Sequence, residues 1–478
     1  MKYASYFRQR TRIVCTIGPS SRSVRVIERL IRAGMNVARF NLSFDTHDEH
    51  RRHIQTVRRL AERLSRPVAI LLDLPGPKYR TGTLKNGFVL LKKGDGVTLT
   101  IRQIEGDEAV IPVNLPSLPN DVRKGDVILL DDGAMELRVQ EISGTEVKCR
   151  VIAGGRLTQG RGIAIPGMRV STPFLTDYLR EHIAFAIEQR PDYIALSFVS
   201  SPDDVLQVRT VLQSENVKIP IISKIERGQA VVHFDRILTA SDSIMVARGD
   251  LGVDIPLQKI PLVQKDIIRK CNQAGKPVIT ATQMLESMIN LPRPTRAEVT
   301  DVANAIFDGT DAVMLSGETS VGKYPVAAVR MMAQIARETE RKLDYEQMLA
   351  ERSTWLEPHT DELIAYNACH TANTLKATAI VAFTEAGSTA HRVSKYRPRM
   401  PILAITPNKA VRGELILCWG VQAFQIPGVS SVDELFARAS SLTKDLGLAK
   451  PGDIIVITAG IPLGSTGTTN LLKVERVA

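Results

Sequence analysis

Two acidic residues, Glu226 and Asp250, each stand just past a short apolar run. Each has a cation two residues upstream, Lys224 before the first and Arg248 before the second. Carboxylate oxygens that leave room for water and phosphate oxygens suit a hard divalent ion, Mg²⁺ or Mn²⁺. No His-x-His pair or cysteine cluster offers zinc its usual ligands. Arg39 supplies a third cation of the same kind. A divalent ion with lysine and arginine around it is what phosphoryl transfer needs, because catalysis there is mostly positioning and neutralisation of developing charge. The Gly-x-x-x-x-Gly-Lys-[Ser/Thr] loop is absent, so this is not a P-loop enzyme.

The same pattern of apolar run followed by polar cluster recurs. Arg39, Asn41 and Ser43 close one run, Asp73 the next, and Thr282-Gln283 and Ser316-Gly317-Glu318 two more. Singly, each reads as a turn or helix cap. Six together need elements that bring them to one face. Residues 11–75 alternate strand, helix, strand, helix, strand, ending at Pro75-Gly76-Pro77. Residues 78–165 switch to short alternating strands separated by Gly and Asp turns, with no helix expected. The β/α rhythm then returns, with strands expected over 193–198, 220–224, 243–247, 277–281 and 312–315. Three strands before the insert and five after it predict an α/β fold, a (β/α)₈ TIM barrel interrupted by a small all-β domain, whose chemistry belongs at the C-terminal strand ends. Beyond Tyr345 a further α/β unit is expected, with strands over 379–383, 401–406 and 453–458. The expected domains are therefore 1–75 and 169–345 for the barrel, 76–168 for a lid-like β insert and 346–478 for a C-terminal α/β regulatory domain.

Composition fits a large globular protein: 478 residues, 44% hydrophobic and 24% charged. No apolar run is long enough to span a bilayer, and residues 1–12 lack a signal-peptide core, so a cytoplasmic protein is expected. The five cysteines are scattered and odd in number, which reads as free thiols. Net charge is +11, and residues 1–66 hold 15 Lys/Arg against five Asp/Glu. These cations are spread through helix-like stretches without a nucleic-acid module, so a solvated face that attracts small anions is favoured over RNA or DNA binding.

At these residues the sequence resembles the pyruvate kinases. The segments RIVCTIGPSS (12–21), GMNVARFNLS (34–43), IMVARGDLGV (244–253), KPVITATQMLESM (276–288), 292–319 and GTTN (467–470) look like the signature runs of that family, and the likeness covers essentially the whole chain. The chain stops soon after GTTN, which reads as lacking the extra C-terminal domain of some bacterial members. The resemblance implies transfer of the phosphoryl group of phosphoenolpyruvate to ADP, giving pyruvate and ATP, in a homotetramer. It implies Mg²⁺ on Glu226 and Asp250, Lys224 on the phosphoryl group in flight, and Arg39 on the substrate phosphate. Backbone N–H groups of Ala247–Asp250, next to Arg248 and including Gly249, would take the substrate carboxylate. Thr282, with Ser316, would lie on the face that protonates the enolate, through water because a threonine hydroxyl is a poor acid. Arg80, Arg161 and Asn41 would face the nucleotide, and Asp132 would face the cleft as the insert closes. Arg161 stands where many relatives have lysine.

Asn41, Ser43, Asp73 and the carbonyl of Leu74 match the family's K⁺-ligand positions. Five residues after Asp73, where K⁺-dependent members carry glutamate, stands Lys78, so K⁺ is expected not to be required. The run Thr384, Glu385, Ala386, Gly387, Ser388, Thr389 resembles the family's effector loop. Glu385 would repel a bisphosphate, which leaves a sugar monophosphate, AMP or no effector. Two rival readings are a Mg²⁺-dependent aldolase or lyase on the same carboxylates, and an RNA-binding protein.

Overall fold

The computed structural model describes residues 9–168, 171–464 and 467–478. Most of the basic stretch at 1–12 lies outside the described residues, as do positions 169–170, where the second barrel segment is expected to begin. Eight parallel strands close into a barrel: β1 Arg12–Thr16, β2 Val37–Asn41, β3 Ala69–Leu74, β4 Tyr193–Leu196, β5 Ile221–Ile225, β6 Ser243–Ala247, β7 Val278–Ala281 and β8 Ala312–Leu315. Spatial order follows chain order around the ring, and β8 returns to pair with β1. Local chemistry sets the helices between them. Ser23, Thr46 and Thr295 each cap a helix N-terminus with a side-chain oxygen, the last two as full capping boxes with Glu49 and Glu298. Gly34, with φ of 129°, ends the first helix in a conformation that side-chain-bearing residues avoid.

Strand side chains alternate, so every second residue points into the barrel. Val14, Val37, Ala69, Leu71, Tyr193, Ala195, Ile222, Met245, Ile279, Ala312 and Met314 pack there, and Leu417 of the C-terminal unit packs with them. Continuing the same parity toward the C-terminal ends places Thr16, Arg39, Asp73, Ser197 and Lys224 in the next layer up. A polar layer therefore sits directly on an apolar one.

The insert leaves after β3 and folds as a seven-stranded sheet with its own buried cluster. A two-stranded sheet of Phe88–Leu91 and Gly155–Thr158 joins it. One helical turn, Leu118–Asp121, breaks the expectation of no helix there. The C-terminal unit is a five-stranded sheet in which Val421–Gln425 and Thr469–Arg476 join the three expected strands. All five cysteines are free and buried: Cys15 and Cys271 in the barrel, Cys149 in the insert, Cys369 and Cys418 in the C-terminal unit. No helix of the described residues is long and apolar enough to cross a membrane.

Candidate active site

The polar layer at the top of the barrel is one connected network. Arg39 donates from Nε to Asp73 Oδ2 at 2.7 Å and from Nη1 to Thr16 Oγ1 at 2.8 Å. Lys224 Nζ lies 3.2 Å from Asp73 Oδ1, 2.8 Å from Ser197 Oγ and 2.9 Å from Glu226 Oε1. Glu226 Oε2 accepts from the Phe198 backbone N–H at 2.6 Å, and Phe198 holds a positive φ of 59°. Such a backbone is rare for a bulky residue and aims this N–H at the carboxylate. Ser197 is overlaid by the chain leaving for the insert: a Cβ on Gly76 would lie 2.3 Å from the Ser197 carbonyl oxygen, so only glycine fits there.

Burial and pairing oppose each other in this network. Burial pushes the Asp73 pKa up, but Lys224 and Arg39 outweigh it and hold the carboxyl below the usual range. Burial pushes Lys224 down, yet Asp73 and Glu226 more than compensate, so the ammonium is firmly charged. Glu226 ends above the ordinary range, because burial and the nearby Asp250 charge exceed the help from Lys224. Burial also raises Asp250, but Lys78, ion-paired to it from the root of the insert, brings it below. A buried carboxylate, Glu226, and a half-buried one, Asp250, that repel each other fit a site for a divalent cation. Among the described residues no group of three or more His, Cys, Asp or Glu gathers as a metal site, so a two-carboxylate set leaves positions for substrate and water oxygens.

Glu226, Asp250, Lys78, Asp132, Gly162 and Phe198 share one cleft between barrel and insert. Arg80 and Arg161 lie beside it on the insert, where Arg80 pairs in register with Gly162. Arg80 donates to the Gly160 carbonyl at 3.1 Å, and Arg161 sits 3.4 Å from Asp131. Asn41 pairs with Asp73 across β2 and β3, and its Oδ1 accepts from the Ser43 N–H. Lys78 is bound to Asp250 and lies over the Phe198 ring; among the described residues no hydrogen bond joins it to Asn41, Ser43 or Asp73. On the other wall, Gly249 N–H donates to Thr282 Oγ1 at 2.8 Å. Ser316 Oγ is buried without a protein partner.

Arg248 departs from expectation. Its guanidinium does not join the cation cluster; every nitrogen is bonded to the protein behind the cleft, at Asp301, Gln264 and the carbonyls of Ala281, Thr282 and Gln283. Sequence reading missed Thr16 and Ser197, whose strand parity with Arg39, Asp73 and Lys224 is the signal that could have found them. It also missed the Phe198 N–H, for which the sequence carries no signal.

In the C-terminal unit, Thr384, Glu385, Ala386, Ser388 and Thr389 line a cavity of about 260 Å³ together with Gly464 and Gly467. Gly387, at φ 88°, precedes the helix Ser388–Lys395. Thr384 Oγ1 is buried and unpartnered, and Thr389 Oγ1 lies 2.7 Å from Thr469 Oγ1.

Residues 8–329 match the family model described as pyruvate kinase, barrel domain, and residues 362–475 that described as pyruvate kinase, alpha/beta domain. The chain is 48% identical over 471 residues to pyruvate kinases of Staphylococcus aureus strains MRSA252 and USA300, covering 98% of this chain and 80% of each relative. A crystal structure of a pyruvate kinase from Cryptosporidium parvum superposes with a TM-score of 0.92 at 38% identity, covering 98% of this chain and 97% of that one.

Proposed function

The chain belongs to the pyruvate kinase family, a phosphotransferase acting on phosphoenolpyruvate and ADP; from that premise we propose how its own residues carry the reaction. The observation that supports the assignment is the single network joining Arg39, Asp73, Lys224 and Glu226 at the strand ends, with Asp250 and Lys78 across the cleft. Glu226 and Asp250 would hold Mg²⁺ or Mn²⁺, which when bound supplies positive charge beside the substrate oxygens.

The remaining work falls to the chain. Arg39 and Lys224, both held by Asp73, present fixed cations to the phosphoryl group, so little reorganisation is needed as its charge shifts. The P–O bond to the enol oxygen breaks and a bond to a terminal ADP oxygen forms. Arg80 and Arg161 on the insert hold the nucleotide phosphates, and Asn41 borders them. Amides around Gly249 face the substrate carboxylate. The enolate left behind takes a proton on its terminal carbon from the side of Thr282, through water that the unpartnered Ser316 hydroxyl helps to hold. A coupled assay of pyruvate formation from phosphoenolpyruvate and ADP with Mg²⁺ tests the whole reading. Turnover that survived Lys224→Met in a folded enzyme would overturn it.

The enzyme is further proposed to work without K⁺. The support is that Lys78 already brings an ammonium to the cleft and that Asp73 is neutralised by Arg39 and Lys224. The cavity around Thr384–Thr389 is proposed as an allosteric site for a monophosphorylated sugar or AMP, with glycines and hydroxyls to meet one phosphate. A cytoplasmic homotetramer follows the family pattern, and light scattering on the purified protein measures its mass.

A further inference from the structure

Thr282 and Gln283 carry consecutive positive φ values of 65° and 54°. A β-branched residue such as Thr282 in the left-handed region is a strained outlier, and two successive left-handed residues persist only where the surroundings over-determine them. The main-chain carbonyls of this turn are held chiefly by one side chain. Arg248 donates from Nη2 to the Thr282 carbonyl at 2.7 Å and to the Gln283 carbonyl at 3.2 Å. Its Nε reaches the Ala281 and Thr282 carbonyls at 3.3 Å each. From behind, Asp301 on the helix Arg296–Phe307 fixes Nη1 at 2.7 Å, and Gln264 adds a longer bond of 3.4 Å. The planar guanidinium thus gathers three successive carbonyls. Its own backbone immediately precedes Gly249, whose N–H is bound to Thr282 Oγ1, and Asp250.

We infer that Arg248 is a positioning residue: with Asp301 as its anchor, it staples the end of β7 to the end of β6 and thereby sets where the Thr282 hydroxyl stands relative to Asp250 and the Gly249 amide. It acts through Thr282 and touches no substrate. The inference rests on the reading of Thr282 as part of the proton-delivering face, so its test must separate the two. Its energetic logic is that of pre-organisation: misplacing a reacting group by about 1 Å costs on the order of 10²-fold in rate.

The experiment uses the full-length enzyme with Mg²⁺ and compares Arg248→Met, Arg248→Lys, Asp301→Asn, Thr282→Val and the Arg248→Met/Thr282→Val double variant. Three quantities are measured: kcat and KM for phosphoenolpyruvate, exchange of the pyruvate methyl hydrogens with D₂O in the presence of ATP, and Tm. Arg248→Met should lower kcat and exchange together by about 10²-fold with KM held within about threefold. Lysine should restore part of the loss. Asp301→Asn, a change at a partly exposed side chain that keeps the fold testable if Arg248→Met does not express, should lower both by about tenfold. Because Arg248 acts through Thr282, the double variant should be no slower than the slower single variant. Rates within about twofold of wild type in both Arg248→Met and Asp301→Asn, or losses that multiply in the double variant, would overturn the inference. Intact exchange in Thr282→Val would instead remove the reading of Thr282 itself, and the inference with it. Impaired Thr282→Val beside intact Arg248→Met would remove the inference alone.

Discussion

The barrel cleft and the C-terminal cavity are both built on parallel strands, yet they are chemically opposite. The cleft concentrates buried ions: Asp73, Lys224 and Glu226 are each almost wholly buried, with Lys224 bonded to both carboxylates. Among the described residues the cavity is lined by threonines, one serine, glycines and apolar side chains. Its one ionisable lining residue among those described is Glu385, and no Lys, Arg or His lines it. Holding charges out of water is costly unless they are paired, and the cleft meets that condition internally. The cavity avoids the cost by offering neutral donors. The first arrangement can stabilise a changing charge distribution; the second, lined mostly by neutral groups, is not built for that.

Substitutions can break this contrast in graded ways. Lys224→Met strikes at the centre of the cleft and should lower kcat by about 10³-fold. It should also lower Tm, since removing one partner of a buried ion pair costs about 3–5 kcal/mol; coupled kinetics and calorimetry read the two effects. Glu226→Gln keeps the shape but removes one of the two repelling carboxylates. A loss of about 10²-fold in kcat is expected, with a higher Mg²⁺ requirement in a metal titration. The cavity should respond on a smaller scale. Glucose 6-phosphate, ribose 5-phosphate or AMP should lower the half-saturating phosphoenolpyruvate concentration by about threefold, within the usual coupling range. Fructose 1,6-bisphosphate should do so only after Glu385→Lys. Replacing Na⁺ by K⁺ should change wild-type kcat by less than about twofold, as expected when the cleft already holds its own cations, and Lys78→Glu should make the enzyme respond to KCl.

The smallest effect concerns stability on the flank of the barrel. His182 Nδ1 meets His47 Nε2 at 2.8 Å, and burial together with His47 pushes the His182 pKa down from 6.5 to about 4. The folded state therefore binds its proton later than the unfolded chain as pH falls. Its stability contribution is complete above about 6.5 and declines as pH drops toward about 4. Tm measured across that window should fall less steeply in His182→Gln than in wild type.

How far the sequence revealed all this depended on the kind of signal. Barrel strands were legible because short apolar runs ending in Asp73, Lys224 or Asp250 recur with helices between them. The helix before β4 begins at Asp177 because the Thr176 side chain caps it, a signal local enough to read from residue type. Val421–Gln425 is only partly buried and alternates weakly, so its strand character comes from pairing with Ile402–Thr406. At the site, residue type identified the charges but not their direction. Arg248 reads as one more cation of the site, and only tertiary geometry shows it turned toward Asp301 and the 281–283 carbonyls. Ser197, an ordinary residue after a strand, becomes a bridge between Asp73 and Lys224 once the barrel closes.

The buried thiols have a practical use. Burial pushes the pKa of all five upward, so none is a ready thiolate in the native protein. Since barrel, insert and C-terminal unit each hold at least one, pulse alkylation during denaturation would date the opening of every unit separately. The molecule carries its own clock for the order in which it comes apart.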